Sequence, residues 1–239
     1  MGRRPTTPIS NARAAREAAL ETYKGAIERL YTAPPDGSAV LCLDEMGPTV
    51  PKCFPGSEPV RVEPGVEPDG TRRPAGRAKR EVETGRRQRG GYVFGAFRPA
   101  TGEAFTQSYP RRDGANWVDF LEHVEAWVPA EVSRVYAVLD NLVTHRCTDV
   151  LLFSLWHPRW ESVFQPTYAA YLNLIEPWWK VLKSLALKGR RFTTWEEVVR
   201  AVEEATGYWN GHRHPSVWGR RRRHRPKRKP GVAAVPTVR

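Results

Sequence analysis

The chain has 239 residues, 40% of them apolar, with 21 prolines, 19 glycines and a formal charge of +12. That length supports one sizeable core with appendages. No stretch approaches the roughly 18 apolar residues of a membrane span, and no apolar segment follows the basic start MGRRPTTPIS as in a secretory signal. The scattered Cys42, Cys53 and Cys147 suggest neither a disulfide framework nor a structural zinc site, so the expected location is the cytoplasm.

Residues 11–31 are rich in helix formers, with Ala19, Tyr23, Ile27, Leu30 and Tyr31 as a loose helical stripe. APPDG at 33–37 ends that helix. SAVLCLDE, 38–45, is a continuous apolar run closing on two acids and reads as a buried strand. Residues 46–90 carry Pro, Gly and Arg without periodicity, which predicts a long irregular loop of the kind that often has a function. GYVFGAFRPATGEAFTQSY, 91–109, reads as a hairpin with Gly102 in its turn. Trp117, Phe120, Leu121, Val124 and Val128 then fall at helical spacing up to Pro129.

RVYAVLDN, 134–141, is a second apolar run ending in an acid, hence a central strand. A helix at 146–156 and a short strand at 161–166 follow. The next helix is expected to start around Pro177, a residue suited to the first helical position, and to stop at Gly189. The last opens with a capping box, Thr194 with Glu197, and runs to about Trp209. This order of elements implies an α/β protein, a mixed sheet flanked by helices.

Positive charge collects in two blocks. Arg72–Arg89 holds eight Lys or Arg against two Glu, and the tail from His212 holds ten and no acid. Such blocks tend to stay disordered until they meet a polyanion, and each neutralised phosphate releases counterions. Nucleic acid is the expected partner; composition does not separate DNA from RNA.

Two apolar strands end in aspartate, Asp44 and Asp140. As parallel neighbours in similar register they would bring two carboxylates to the sheet edge where α/β ligand sites lie. Close carboxylates repel unless a cation compensates, and oxygen-only ligation suits Mg²⁺ or Mn²⁺. Glu176, at a helix start, is a third candidate ligand. Each acid alone reads first as a turn or cap residue; the three together, in this order in a basic chain, shift the balance to a metal site.

Four stretches carry a family likeness. VLCLDEMGP, YVFGAFRPATGEAF, AVLDNLVTH and YLNLIEPWWKVLK resemble, in order, the first catalytic strand, the hairpin, the second-acid motif and the third-acid motif of one family. That family is the DDE catalytic domain of bacterial insertion-sequence transposases of the mariner superfamily. Thirty-five residues separate Asp140 from Glu176, close to the family's spacing, and the likeness covers about residues 38–210. It implies an RNase H-like fold with Asp44, Asp140 and Glu176 as catalytic residues and as ligands of two Mg²⁺ (or Mn²⁺) ions. It further implies DNA cleavage at element ends, strand transfer into target DNA without a covalent protein–DNA intermediate, work as a homodimer, and a cytoplasmic, nucleoid-associated location.

The residues beside the acids are candidates for supporting the site or contacting DNA. Glu45 should point away from Asp44 across its strand and support the site rather than ligate. Asn141 and His145 match the second-acid motif; His145 would contact DNA, orient a ligand or simply be satisfied by hydrogen bonds. Asn173 fits the turn before Glu176. Lys180, Lys183, Lys188, Arg190 and Arg191 would grip phosphates or solvate a helix face. Trp178 and Trp179 are not expected to share one core, and base stacking is the alternative for one of them.

Family members usually carry an N-terminal helix-turn-helix reader, whereas 43 residues precede Asp44 here. The expected organisation is a helical segment at 1–37, the catalytic domain at 38–211 and a disordered basic tail at 212–239. The end-reading module would come from an adjacent upstream frame, or the chain is a truncated DNA-binding remnant. A related nuclease without strand transfer is the remaining alternative. The stretch TYAAY before Leu172 also lacks the family's usual proline and serine.

Overall fold

The computed structural model describes residues 8–52, 54, 68–70, 89–167, 169–216 and 218, with side chains from Leu20 onward. The expectations for the rest of the 46–90 loop and for the basic tail beyond Trp218 lie outside these residues.

Helix α1 (Pro8–Thr32) leads into β1 (Ser38–Thr49), and β2 (Gly91–Arg98) and β3 (Glu103–Tyr109) form a hairpin. Then come α2 (Gly114–Trp127), β4 (Arg134–Leu139), α3 (Thr148–Trp156), β5 (Trp160–Phe164), α4 (Ile175–Ala186) and α5 (Trp195–Gly211). The five strands make one mixed sheet in the order β3-β2-β1-β4-β5. The β3-β2-β1 half is antiparallel, and β4 and β5 run parallel to β1.

Strand β1 is flanked on both sides and covered on both faces, which is why its sequence is a run of apolar residues rather than an alternation. Val40, Cys42 and Met46 face the core shared with α4 and α5, and Ala39, Leu41 and Leu43 face the core under α2. Helix α2 buries Trp117, Phe120, Leu121 and Val124, a spacing of one helical face, and Asp113 caps it by accepting the Asn116 N–H at 3.0 Å. Helix α5 opens with the reciprocal Thr194/Glu197 capping box. In the hairpin turn Gly102 has φ +76°, a conformation that glycine adopts without steric cost.

Several boundaries differ from the sequence expectation. β1 continues through Thr49, because Met46 pairs with Val93 and Thr49 with Gly91 after a bulge; partner strand β2 extends it where residue pattern alone predicts loop. The helix expected at 146–156 begins at Thr148, after a 3₁₀ turn at Val143–Arg146. The strand expected at 161–166 spans 160–164. Helix α4 starts at Ile175, so Pro177 is its third residue rather than its first and Glu176 lies inside the first turn; none of the first four helical N–H groups has an intrahelical acceptor, so proline costs nothing there. The end of α1 is part of the core: Ile27 is fully buried with the α4–α5 cluster, and Leu30 and Tyr31 pack against it. No helix among the described residues is long and apolar enough to cross a membrane.

Candidate active site

The two aspartates are carried by neighbouring strands, because β1 and β4 are adjacent and parallel. Cys42 pairs with Val138 at the end of the β1–β4 ladder, and Asp44 and Asp140 each lie two residues further along their chain segments. Asp140 directly follows the carboxyl end of β4, where open α/β sheets place ligands, whereas Asp44 lies within β1, which runs on to Thr49 beside β2.

Asp44 is held from above by α4. Its Oδ2 accepts the indole N–H of Trp179 at 3.0 Å. Trp178 and Trp179 are both buried in one core, contrary to expectation. Helix α4 lies between the sheet and α5, so two positions about 100° apart on the helix both face protein. Trp178 stacks on Phe97, with centroids 6.0 Å apart and planes at 15°. Trp179 lies over Gly95, the residue that pairs with Asp44 across β2; a Cβ at Gly95 would collide with the indole. An isolated glycine inside a strand signals this kind of close approach.

Burial pushes the Asp44 carboxyl up to about 7; the Glu45 N–H and the Trp179 indole work the other way, while the charges of Glu45 and Glu176 add to the rise. Asp140 is opposite in character. Burial raises it, but hydrogen bonds from His145 and from the Leu142 N–H, with the charges of His145 and Arg112, bring it below the usual aspartate value.

His145 is fully buried, so it is not a DNA contact. Its Nδ1 lies 2.9 Å from Asp140 Oδ1 and its Nε2 lies 3.2 Å from Glu45 Oε1. The ring packs on Trp117 at 4.1 Å between centroids. Burial disfavours the imidazolium, but the hydrogen bonds and charges of Asp140 and Glu45 outweigh it and push His145 up to about 9. Glu45 is thus a buried acid on the α2 side of β1, one strand position after Asp44, joined to Asp140 through one imidazole.

The third acid hangs from a tight turn. A 3₁₀ turn at Ala170–Leu172 leads to buried Asn173, whose Nδ2 donates to the Leu43 carbonyl at 2.9 Å. The Asn173 carbonyl accepts the Glu176 N–H at 3.1 Å. Glu176 itself is exposed in the first turn of α4, where the helix dipole favours an anion, and its charge acts on Asp44. Lys180 and Lys183 are exposed at the fourth and seventh positions after it, on the same helix face. The Asn141 side chain is engaged beside β5: it donates to the Gln165 carbonyl and accepts from Arg146. Lys188, Arg190 and Arg191 lie past the end of α4, all exposed; Arg190 is engaged by the Ala186 carbonyl and the Phe192 ring.

Among the described residues no three His, Cys, Asp or Glu side chains form a group tight enough to hold a metal ion. Separate partners hold the acids: Trp179 draws Asp44 toward α4, and His145 draws Asp140 toward α2. Sequence reading missed Trp179 as a partner of Asp44, together with Gly95 and Arg112. Only Gly95 carried a signal, as a glycine within a β-prone run.

A five-stranded mixed sheet with two acids on adjacent parallel strands and a third on a covering helix is an RNase H-like arrangement. The chain belongs to the DDE superfamily endonucleases, whose family pattern matches residues 59–199. That match takes in Asp140 and Glu176 and starts after Asp44. The chain is also similar to the Insertion element IS630 uncharacterized 39 kDa protein of Shigella sonnei, 20% identical over 160 residues, which are 67% of this chain and 46% of that protein. Among solved structures it is similar to the Mos1 transposase paired-end complex with left transposon end, with a TM-score of 0.51 and 17% identity over 88% of this chain and 61% of that one. The Mos1 mariner paired end complex with Mn gives a TM-score of 0.52 and 14% identity over 89% of this chain and 65% of that one. The corresponding complex with Mg gives 0.52 and 17% over 87% and 58%. The chain thus spans about half the length of the curated relative it matches.

Proposed function

We propose that this chain is the catalytic part of an insertion-sequence transposase, a metal-dependent DNA endonuclease and strand transferase acting on element ends. The observation that carries the reading is the parallel pairing of β1 and β4 up to two residues before Asp44 and Asp140, together with Glu176 in the first turn of α4, whose charge acts on Asp44. The named relatives support it: one belongs to an insertion element, and Mos1 is a transposase seen on paired transposon ends with Mn or Mg.

The donor set fits a hard divalent cation. Asp44, Asp140 and Glu176 offer only carboxylate oxygens, and the negative charges of Glu45 and Glu176 act on the buried Asp44 carboxyl. Asp44 and Asp140 would hold Mg²⁺ or Mn²⁺, two ions in the full site, and the exposed Glu176 side chain would swing in to complete it. Bound there, a metal pair activates an attacking oxygen and stabilises the leaving one. The protein's own residues orient the acids. Trp179 fixes the Asp44 carboxylate, His145 fixes that of Asp140, and Asn173 ties the Glu176 turn to β1. Lys180 and Lys183 extend the Glu176 face of α4 toward a phosphate backbone. A homodimer on paired ends and a separate helix-turn-helix polypeptide reading the terminal repeats complete the proposal.

The test is cleavage and joining of DNA bearing the flanking inverted repeats in Mg²⁺ or Mn²⁺. Asp140→Ala is expected to abolish both steps while leaving most DNA binding intact; full activity in that variant rejects the site. Cleavage with no joining under any condition would identify a nuclease instead.

A further inference from the structure

We propose that Tyr31 is a positioning residue for the acid site: one hydroxyl links the strand of Asp44 to the turn that carries Glu176. The proposal rests on the reading of those two acids as metal ligands.

Tyr31 belongs to the last turn of α1, outside the stretch that resembles the DDE domain. Its Oη donates to the Leu172 carbonyl at 2.7 Å and lies 3.2 Å from Cys42 Sγ. With its own proton committed to Leu172, the phenol oxygen is the acceptor for the Cys42 thiol. Cys42 lies two residues before Asp44 on the same face of β1. Leu172 lies four residues before Glu176 and closes the 3₁₀ turn on which Asn173 and α4 hang. The hydroxyl therefore fixes the gap between the two backbone segments that set the separation of the acids. Asn173 spans the same gap with its bond to the Leu43 carbonyl, but Asn173 moves with the turn, whereas Tyr31 anchors the turn to a separate helix.

The ring of Tyr31 has a second contact. Trp218 packs on it with centroids 5.4 Å apart and planes at 35°. Trp218 stands two residues before the basic run that starts at Arg220. The N-terminal helix and Trp218 thus meet on the residue that braces the acid site.

Tyr31→Phe keeps the ring and deletes the hydroxyl. Mn²⁺ affinity of the full chain, measured by titration calorimetry, is expected to fall on the order of tenfold, the usual loss when a group behind a metal ligand is removed, with the melting temperature in EDTA nearly unchanged. Cys42→Ala is expected to weaken Mn²⁺ in the same way, and the double variant no more than the larger single loss, because both act through one hydroxyl. Unchanged Mn²⁺ affinity in Tyr31→Phe overturns the proposal. If Tyr31→Phe melts early, Cys42→Ala decides: unchanged affinity there overturns it equally. Asp44→Asn separates the two failures, since wild-type Mn²⁺ affinity in that variant would reject the acid site itself.

Discussion

Gly95 pairs with Asp44 across the sheet and leaves the space in which the Trp179 indole reaches the Asp44 carboxylate. The catalytic reading of Asp44 thus depends on a residue with no side chain in the neighbouring strand. Gly95→Ala should push the indole off Asp44 and lower cleavage, with DNA affinity retained. Overpacking of this kind costs about 1–3 kcal/mol. Urea unfolding and single-turnover cleavage would measure the two effects; wild-type cleavage in Gly95→Ala would show that the indole contact is dispensable.

Trp179→Phe tests the same hydrogen bond from the other side. It retains an aromatic ring in the core and deletes the N–H. We predict a cleavage rate lower by about 10–100-fold, the scale for losing a partner of a ligating carboxylate. If activity falls only in proportion to the drop in stability, the indole serves packing alone.

His145 should be indispensable for folding as well as for orienting Asp140. His145→Ala leaves Glu45 buried without its partner, at a cost on the order of 3–5 kcal/mol. Adding Glu45→Gln removes the stranded charge and should recover part of that loss. A double variant no more stable than His145→Ala by urea unfolding would remove Glu45 from the account.

The same imidazole predicts a pH dependence. His145 is raised in the fold from 6.5 to about 9. Its contribution to stability is therefore fully present below 6.5 and is lost as pH rises through about 9. Melting curves in EDTA should show wild type losing stability across that window more steeply than the His145→Ala/Glu45→Gln variant. Parallel curves would assign the alkaline loss to other groups.

Lys180 and Lys183 are predicted to act on DNA and not on the fold, because both are exposed on α4. Replacing both by Ala should reduce the salt slope of DNA binding by about one unit for each phosphate that is no longer neutralised. The melting temperature should stay within error. A slope identical to wild type would return these lysines to a solvated helix face.

The strands, helices and capping residues were legible in the sequence because each is a local pattern: apolar runs for β1 and β4, one-face spacing for α2, the Thr194/Glu197 pair for α5. Asp140 was legible as a strand-end position and Glu176 as a helix-start one, whereas Asp44, expected at a strand end, lies within β1; the alternation along β1 already separated Glu45 from Asp44. Where prediction erred, a partner decided. β1 runs on to Thr49 because β2 pairs with it. Trp178 and Trp179 both enter the core because α4 has protein on two sides.

What the sequence by itself determined is the order of elements, the chain's net positive charge and the chemistry available at Asp44, Asp140 and Glu176. Periodicity, composition and side-chain type set these within a few neighbouring residues. Tertiary structure alone decided that the strands leading to Asp44 and Asp140 are parallel neighbours, that His145 bridges Asp140 to Glu45, and that the Tyr31 hydroxyl bonds to the turn before Glu176. Strand pairing and helix docking create these relationships between segments as much as 141 positions apart in the chain, where no local pattern can record them.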